Sequence, residues 1–481
     1  MSAFFAIVKL TLRDARRSNI FRLLLGFLLL SAFLPMFVEG SGGGMRGNIQ
    51  VMISYSLGAI SFILVISTVW LSSLVMTQDV ENYQLHMVVS KPVSRINIFL
   101  AKYCSVVLIH AVLLLIAGSV AFGLVVWKFN TAAAEAEKND DWARKNEVER
   151  IKNEVMVGRR VFLPKPPDTQ KLTDEALKRK MAELQQEGRG VTAEALEMED
   201  EIRKSYSEEM MRKRSAVLYG DYGSWEFENM PENLKEPIYL RYRFYIGKVD
   251  SEAQRPSLGV WEVYLTTVNQ NKDGETSQED YIRSWVKLPP RDDYAGEFHE
   301  ITFPEGDKII DPEHNTVSLR YLNADPEKAQ AFFQAEDGPQ LLIKVTGFTG
   351  NFVRGLLVIL LLLMVYGGIS CAAASAFSMP TAIFVVLSYM FLGSVAPLIK
   401  TTSQLRDATE YTGYWIGEVV MKVVAPLQDF DVSQKLAGGE LVEFSFMGGL
   451  ILWHFLLQAC PFIVLGGYLY WRRELGLVIR K

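Results

Sequence analysis

Six apolar stretches of membrane length fix the class of this chain before any motif is read. Residues 20–38, 49–76, 101–127, 352–374, 381–399 and 447–470 each approach or exceed the roughly 20 apolar residues a helix needs to cross a hydrocarbon core. Ionisable groups are almost absent from their interiors, His110 and His454 being the exceptions. Two of the stretches, 49–76 and 101–127, flank a polar loop, TQDVENYQLHMVVSKPVSR, at residues 77–95. The loop is too short to be a domain, yet it carries Asp79, Glu81, Lys91 and Arg95 beside a break at Pro92. Such a segment suits a short surface helix against which another protein can push.

Composition alone would allow a globular protein, with 49% hydrophobic and 22% charged residues. The distribution excludes it, because charge gathers in the middle of the chain while both ends are apolar. The net charge of −5 averages compartments that never meet. Arg13, Arg16, Arg17 and Arg22 lie at the first span, Lys91, Arg95 and Lys102 at the loop, and Arg472, Arg473, Arg480 and Lys481 at the end. The positive-inside rule assigns all three regions to the cytoplasm. Six spans with both termini inside then put residues 128–350 and 400–446 outside. The N-terminus reads as a signal anchor rather than a cleavable signal, because EGSGGGMRG after the first apolar run makes no persuasive small-x-small cleavage site and the charged segment before that run is unusually long. Cys104, Cys371 and Cys460 all fall in or beside spans, so neither disulfides nor a cysteine zinc site is expected in the exported block.

The expected fold is therefore a polytopic α-helical membrane protein with six transmembrane helices and a large extracytoplasmic α+β insertion between helices 3 and 4. Residues 1–19 form an amphipathic interfacial helix, with Phe4, Val8, Thr11, Leu12 and Ala15 on one face and Lys9, Arg13, Arg16 and Arg17 on the other. Residues 20–127 hold helices 1–3 and the cytoplasmic loop 77–95. Residues 128–218 are rich in Ala, Glu, Lys and Arg, and Leu177, Met181 and Leu184, then Leu196, Ile202, Tyr206 and Met210, recur at helical spacing. Over 219–350 the period changes to two. Ile238, Leu240, Tyr242, Phe244 and Ile246 alternate with Tyr239, Arg241, Arg243 and Tyr245, and similar alternation at Trp261–Val263–Leu265, Val317–Leu319–Tyr321 and Leu341–Ile343–Val345 predicts an antiparallel β-sandwich. Its last strand runs almost directly into the fourth span. Residues 351–481 hold helices 4–6, with 400–446 as a re-entrant or interfacial helix pair supported by its neighbours.

Catalytic chemistry finds no footing. The glycine cluster Gly42–Gly44 lacks the phosphate-loop pattern, so if the protein uses ATP another chain binds it. His299 and His314, near Glu300, Asp311 and Glu313, could hold a metal; turn histidines beside solvated acids are the commoner arrangement. His110 and His454 lie within spans, where an ionisable group is costly; a neutral imidazole bonded between helices is the plain reading and a proton-coupled role the alternative. No triad or paired-carboxylate spacing is present, and no catalytic, cofactor-binding or metal residue is assigned.

The mechanical motif remains, and there the chain resembles the ABC-2 type permeases of ATP-binding cassette transporters. In that family the loop after the second span reads roughly acidic-x-acidic-x-G-T, then S-x-P-[VI]-S-R. Asp79-Val80-Glu81 and Ser90-Lys91-Pro92-Val93-Ser94-Arg95 match, followed by Lys102, while Tyr83-Gln84 replaces the Gly-Thr step. Trp471-Arg472-Arg473-Glu474-Leu475-Gly476 resembles the family's closing aromatic-R-R-E-L-G, and Ser378-Met379-Pro380 is a weaker match. The resemblance implies a permease subunit that exports an unidentified substrate. Its loop 77–95 would be a coupling helix, with Asp79, Glu81, Tyr83, Gln84, Lys91, Pro92 and Arg95 at the ATPase interface and Arg472, Arg473 and Glu474 as a cytoplasmic C-terminal motif. It further implies two copies of an ABC ATPase that bind the ATP and Mg, a second permease subunit, membrane lipid, an extracytoplasmic envelope partner and no nucleic acid, in the inner or plasma membrane of a bacterium. Two rival readings are a membrane-anchored receptor or scaffold whose sandwich binds a ligand without transport, and an intramembrane enzyme using His110 or His454.

Overall fold

The structure, a computed structural model, describes residues 3–38, 44–81, 94–165, 216–232, 234, 236–247, 255–268, 281–334, 337–402 and 408–472. It divides into two compact units, residues 1–158 with 345–481, and residues 159–344. The first is helical. Its elements are α1 (Ala3–Arg17), α2 (Asn19–Phe33), α3 (Met45–Glu81), α4 (Arg95–Lys138), α5 (Trp142–Glu154), α6 (Phe348–Ala376), α7 (Met379–Thr402), α8 (Ala408–Val423), α9 (Ser433–Ala437), α10 (Phe444–Leu450) and α11 (Cys460–Arg472). A π-helical stretch, Ile451–Ala459, joins the last two. Among the described residues four helices are long and apolar enough to cross a membrane: Met45–Gln78, Arg95–Lys138, Phe348–Ala376 and Phe444–Arg472. The pair formed by Ala3–Arg17 and Phe21–Phe37, bent by 70°, makes a fifth if it counts as one span. The expected span at 381–399 falls on α7, whose apolar run Met379–Val395 is shorter. Length and composition thus support four or five spans where the sequence suggests six.

The core of this unit is formed by Leu28 of α2, Ile53, Leu57 and Leu64 of α3, Leu113 and Ala117 of α4, and Val358, Leu362 and Val365 of α6. Lipid tails are as apolar as leucine, so helices in a bilayer are held by close approach and polar contacts rather than by the hydrophobic effect. Both are present where α3 meets α6. Gly367 sits against Thr68, Ser73 Oγ lies 3.1 Å from Ser370 Oγ, and Ser370 donates to the Val69 carbonyl at 2.9 Å. Thr68, Ser73 and Thr77 return their own hydroxyls to carbonyls one turn back, so none is left bare in the interior.

Two features of this unit depart from the sequence reading. Helix α4 runs unbroken for 44 residues, about 66 Å, eleven residues past Trp127 where the span was expected to end. Helix α5, assigned by composition to the exported helical segment, belongs to the helical unit. Asp141 caps it by accepting from the Ala143 and Arg144 N–H groups. Glu147 then accepts the N–H of Met45 at 2.7 Å, and Glu154 pairs with Arg46 at 2.9 Å, tying α5 to the start of α3. Gly439 packs on the end of the same helix: its φ of +68° favours glycine, and a Cβ there would fall on the Glu154 carbonyl.

The second unit is built of β-strands. They are β1 (Val157–Phe162), β2 (Ala216–Val217), β3 (Tyr222–Phe227), β4 (Ile238–Tyr242), β5 (Tyr245–Ile246), β6 (Pro256–Val268), β7 (Tyr281–Lys287), β8 (Arg291–Tyr294), β9 (His299–Phe303), β10 (Val317–Asn323), β11 (Ala331–Phe332) and β12 (Gln340–Gly347). They form a four-stranded sheet, β1-β12-β4-β9, a five-stranded sheet, β3-β10-β6-β7 with β8 on β6, and a small β2-β11-β5 sheet. The two larger sheets share one apolar core. Leu240 and Tyr242 from one and Trp225, Trp261, Val263, Leu319 and Tyr321 from the other meet in it, with the Trp261 ring 4.8 Å from Tyr242 and 5.1 Å from Tyr321. Strand β10 alternates inside and out as its sequence predicts.

The run Ile238–Ile246 does not form one strand. It breaks at Arg243–Phe244, where Arg243 N–H turns to the Asp337 carbonyl and the Phe244 carbonyl accepts from Gly296. Tyr239 and Arg241, expected outside, are buried along with every other residue of β4; on that face the Arg159 guanidinium lies over the Tyr239 ring. The segment 128–218 is also not uniformly helical. VGRRVF at 157–162 is a strand, and Arg159 on it is wholly buried, ion-paired with Glu300 of β9 and packed on the Tyr239 ring. The helical positions Leu177 to Met210 lie outside the described residues. Strand β12 ends at Gly347 and α6 begins at Phe348 with no residue between.

Candidate functional site

The arms of the loop are α3, which ends at Glu81, and α4, which starts after Ser94. Tyr83, Gln84, Lys91 and Pro92 lie outside the described residues; Asp79 and Glu81 fall in the last turn of α3. Ser94 stands in extended backbone and accepts the Asn97 N–H on its hydroxyl, a cap that starts α4. Arg95, the next residue, donates from its guanidinium to the carbonyl of Trp471 at 3.0 Å. That contact joins two motifs 376 residues apart in sequence, SKPVSR and WRRELG. Arg472 stacks over the Tyr468 ring, while Arg473 and Glu474 lie outside the described residues.

Behind this contact the helix ends form a firm base. Lys102 is buried, and its ammonium donates to the Val75 carbonyl at 2.6 Å, bracing α4 against α3. Tyr103 donates to the Met364 carbonyl at 3.0 Å, bracing α4 against α6. Phe99, Met76, Cys371, Ala374, Ile463 and Tyr470 fill a separate apolar cluster around these bonds. Gly466 lets α11 approach α6 so closely that a Cβ would lie 2.5 Å from Ala372 Cα. These contacts join α3, α4, α6 and α11 beside the loop.

At the other end of the helices, the 400–446 segment is clamped by side chains from its neighbours. Helix α8 stops at Val423, and its last carbonyls need donors. Gln458 supplies them, its amide nitrogen lying 3.0, 3.2 and 3.3 Å from the carbonyls of Met421, Lys422 and Val424. Tyr389 donates to the Val423 carbonyl at 3.1 Å and accepts the Ala425 N–H at 2.9 Å. Tyr366, wholly buried, donates to the Ala425 carbonyl at 2.7 Å. Asn351 binds both sides of the later turn, giving to the Glu440 carbonyl and taking from the Val442 N–H. Irregular backbone among spans is tolerated where protein groups satisfy it in this way.

His454 belongs to this clamp. Its Nδ1 lies 2.7 Å from Gln458 Oε1 and its Nε2 3.2 Å from Asp429, and Phe430 packs on the ring. Both His454 and Gln458 sit on the π-helical stretch, which sequence gave no sign of. His110 is plainer: wholly buried, with Nδ1 toward the Val106 carbonyl and Nε2 3.0 Å from Ser67 Oγ. The two histidines of the β unit are not brought together. His299 bonds the Tyr294 carbonyl and lies 3.4 Å from Asp293, whereas His314 bonds Asp311 at 3.0 Å in an exposed turn. Only Asp311, Glu313 and His314 cluster, among the described residues, within reach of a common cation.

Helices of this length and apolarity make the chain a membrane protein. Residues 12–137 match the family model described as ABC-2 family transporter protein. The matched stretch runs from α1 through α4 and contains the whole 77–95 loop, and it bears out the ABC-2 type permease recognised from the motifs. With that family comes the general role of the membrane component of an ABC transporter, which works with an ABC ATPase and is generally not itself catalytic. No curated protein and no solved structure matches the chain.

Proposed function

We propose that this chain is the permease subunit of an ABC-2 type exporter whose transport is driven by ATP hydrolysed on separate subunits. The observation that carries the reading is the family match over residues 12–137, in a stretch whose centre is the motif-bearing loop. Asp79, Glu81, Tyr83, Gln84, Lys91, Pro92 and Arg95 meet the ATPase, which binds the ATP and Mg. Arg472, Arg473 and Glu474 lie on the same cytoplasmic side, an arrangement supported by the Arg95–Trp471 bond. Two such permeases, alike or different, pair with two ATPases. Counting α2 and α7 as spans gives six crossings of a bacterial cell membrane, both termini inside, and the β unit outside as the element that gates the exit, receives cargo or meets an envelope partner.

Nucleotide-driven closure of the ATPases tilts α3 and α4 through the loop, and the buried contacts of Lys102, Tyr103 and Gly466 pass the tilt on as a two-state shift. Scrambling residues 77–95 should abolish co-purification of an ABC ATPase from detergent extract while the permease stays in the membrane. Undiminished co-purification of the ATPase with the scrambled protein would remove the basis for this function.

A further inference from the structure

An apolar cavity of about 140 Å³ lies under the elbow between α1 and α2, lined among others by Phe21, Leu24, Ser67, Trp70, Leu74 and Ile109. Its size is near the roughly 150 Å³ at which an engineered apolar cavity stays dry and takes a benzene ring. A groove of about 380 Å³ shares Leu24, Ser67 and Trp70 with it and opens between Phe27, Phe62 and Ile66. Phe27 and Phe62 are largely exposed, on helices read as membrane-embedded, so the groove opens onto lipid. Cavity and groove form one slot with an almost wholly apolar wall. The hydroxyl of Ser67 is already engaged, 2.9 Å from the Leu64 carbonyl and 3.0 Å from His110. Water has too few partners there; a hydrocarbon chain has what it needs.

Charge at the elbow specifies the rest of the occupant. Arg13, Arg16 and Arg17 are exposed, and no ion pair reaches them among the described residues. Arg22, also exposed, bonds Asn19. Arg17 adjoins Ser18 and Arg22 adjoins Phe21, both of which line the cavity. Arg17 and Arg22 are thus each one residue from the cavity's lining, with exposed side chains. We propose that this slot is a binding site for an anionic phospholipid of the leaflet that holds the elbow, with one acyl chain between α2 and α3 and the phosphate on the arginines. Basic side chains near a membrane surface each add about fivefold to anionic-lipid binding, and the apolar slot selects one lipid position from the surrounding bilayer. The site is independent of which leaflet this is and of the ATPase contacts.

The test uses the full-length protein in phosphatidylcholine vesicles carrying a trace of phosphatidylglycerol with a photoreactive group on one acyl chain. After photolysis, adducts should concentrate on the peptides holding Phe21–Leu24 and Ser67–Leu74. Unlabelled phosphatidylglycerol should displace them and added phosphatidylcholine should not. Joint replacement Arg16→Gln and Arg17→Gln should weaken capture about 25-fold at low salt, while Ser67→Trp should block the slot with the arginines in place. If Ser67→Trp does not fold, the lipid competition on the unaltered protein still decides. Adducts spread evenly over exposed residues such as Leu108, Val112 and Leu115, equal capture of labelled phosphatidylcholine, or cross-links from the slot to a second copy of this chain would each overturn the proposal.

Discussion

The clamp on residues 421–425 gives a perturbation whose size can be worked from the geometry. Tyr366→Phe removes one hydroxyl and nothing else, leaving the Ala425 carbonyl without its 2.7 Å donor. Gln458→Leu keeps the volume but withdraws the amide that serves the Met421, Lys422 and Val424 carbonyls. An orphaned buried acceptor costs about 1–3 kcal/mol, whereas hydrogen bonds between membrane helices average nearer 0.6 kcal/mol. Tyr366→Phe should therefore weaken the clamp by about 1 kcal/mol, and Gln458→Leu by about 2 kcal/mol, because one amide holds three carbonyls and also steadies His454. Local opening is read by hydrogen exchange at Val424 and Ala425, where about 1 kcal/mol means roughly fivefold faster exchange. The two changes act on one five-residue segment, so the double variant should lose less protection than the sum of the singles. Strand β10, in the other unit, should exchange as before. Unchanged exchange at 424 and 425 in the Gln458→Leu protein would show that the loop is not held by these side chains, and the account of its backbone would fail.

Three further outcomes follow from the same reasoning. Asp325 takes both terminal guanidinium nitrogens of Arg255 at 2.8 Å and the Ala329 N–H at 2.9 Å, and the Arg255 bond holds its carboxyl below the usual carboxylate range. A depressed native value stabilises above the unfolded value of about 4 and is lost as pH falls through it. Protection at β10 and β11, taken relative to the intrinsic exchange rate at each pH, should thus fall below about pH 4 in the native protein and lose that dependence in Asp325→Asn. Gly466→Val should cost about 1–3 kcal/mol or more of thermal stability in detergent by overpacking against Ala372, while Gly448→Ala, with open space at its Cβ, should melt as the native protein does. Arg159→Met should leave Glu300 buried and unpaired at a cost of about 3–5 kcal/mol, and adding Glu300→Leu should restore most of the lost melting temperature.

What could be read in the sequence and what could not divide along a physical line. Hydropathy and period are local properties, so the apolar helices, the amphipathic α1 and the alternation of β6 and β10 were legible. Register and burial are set by distant partners, and there the reading went astray. VGRRVF carries two arginines in a row and no long alternation; it is a strand paired to β12, and Glu300 of β9 is what lets Arg159 be buried there. The run from Ile238 to Ile246 alternates well, yet Asp337 and Gly296 draw its backbone aside at Arg243 and Phe244. The membership of α5 rests on contacts of Glu147 and Glu154 with the start of α3, which no window of sequence contains. The π-helical stretch around His454 leaves no periodic trace. The bond from Arg95 to Trp471 joins motifs that sequence showed only separately, and His299 and His314, which it set side by side, are apart.

The central claim is that force from a soluble motor enters the membrane through residues 77–95. Its most direct test is the sidedness of that loop. A single cysteine placed at Gln84, on a background with Cys104, Cys371 and Cys460 replaced, should react with a membrane-impermeant maleimide in inside-out vesicles and be shielded when the ATPase is bound. Reaction in right-side-out vesicles alone would place the loop away from any cytosolic motor and contradict the account.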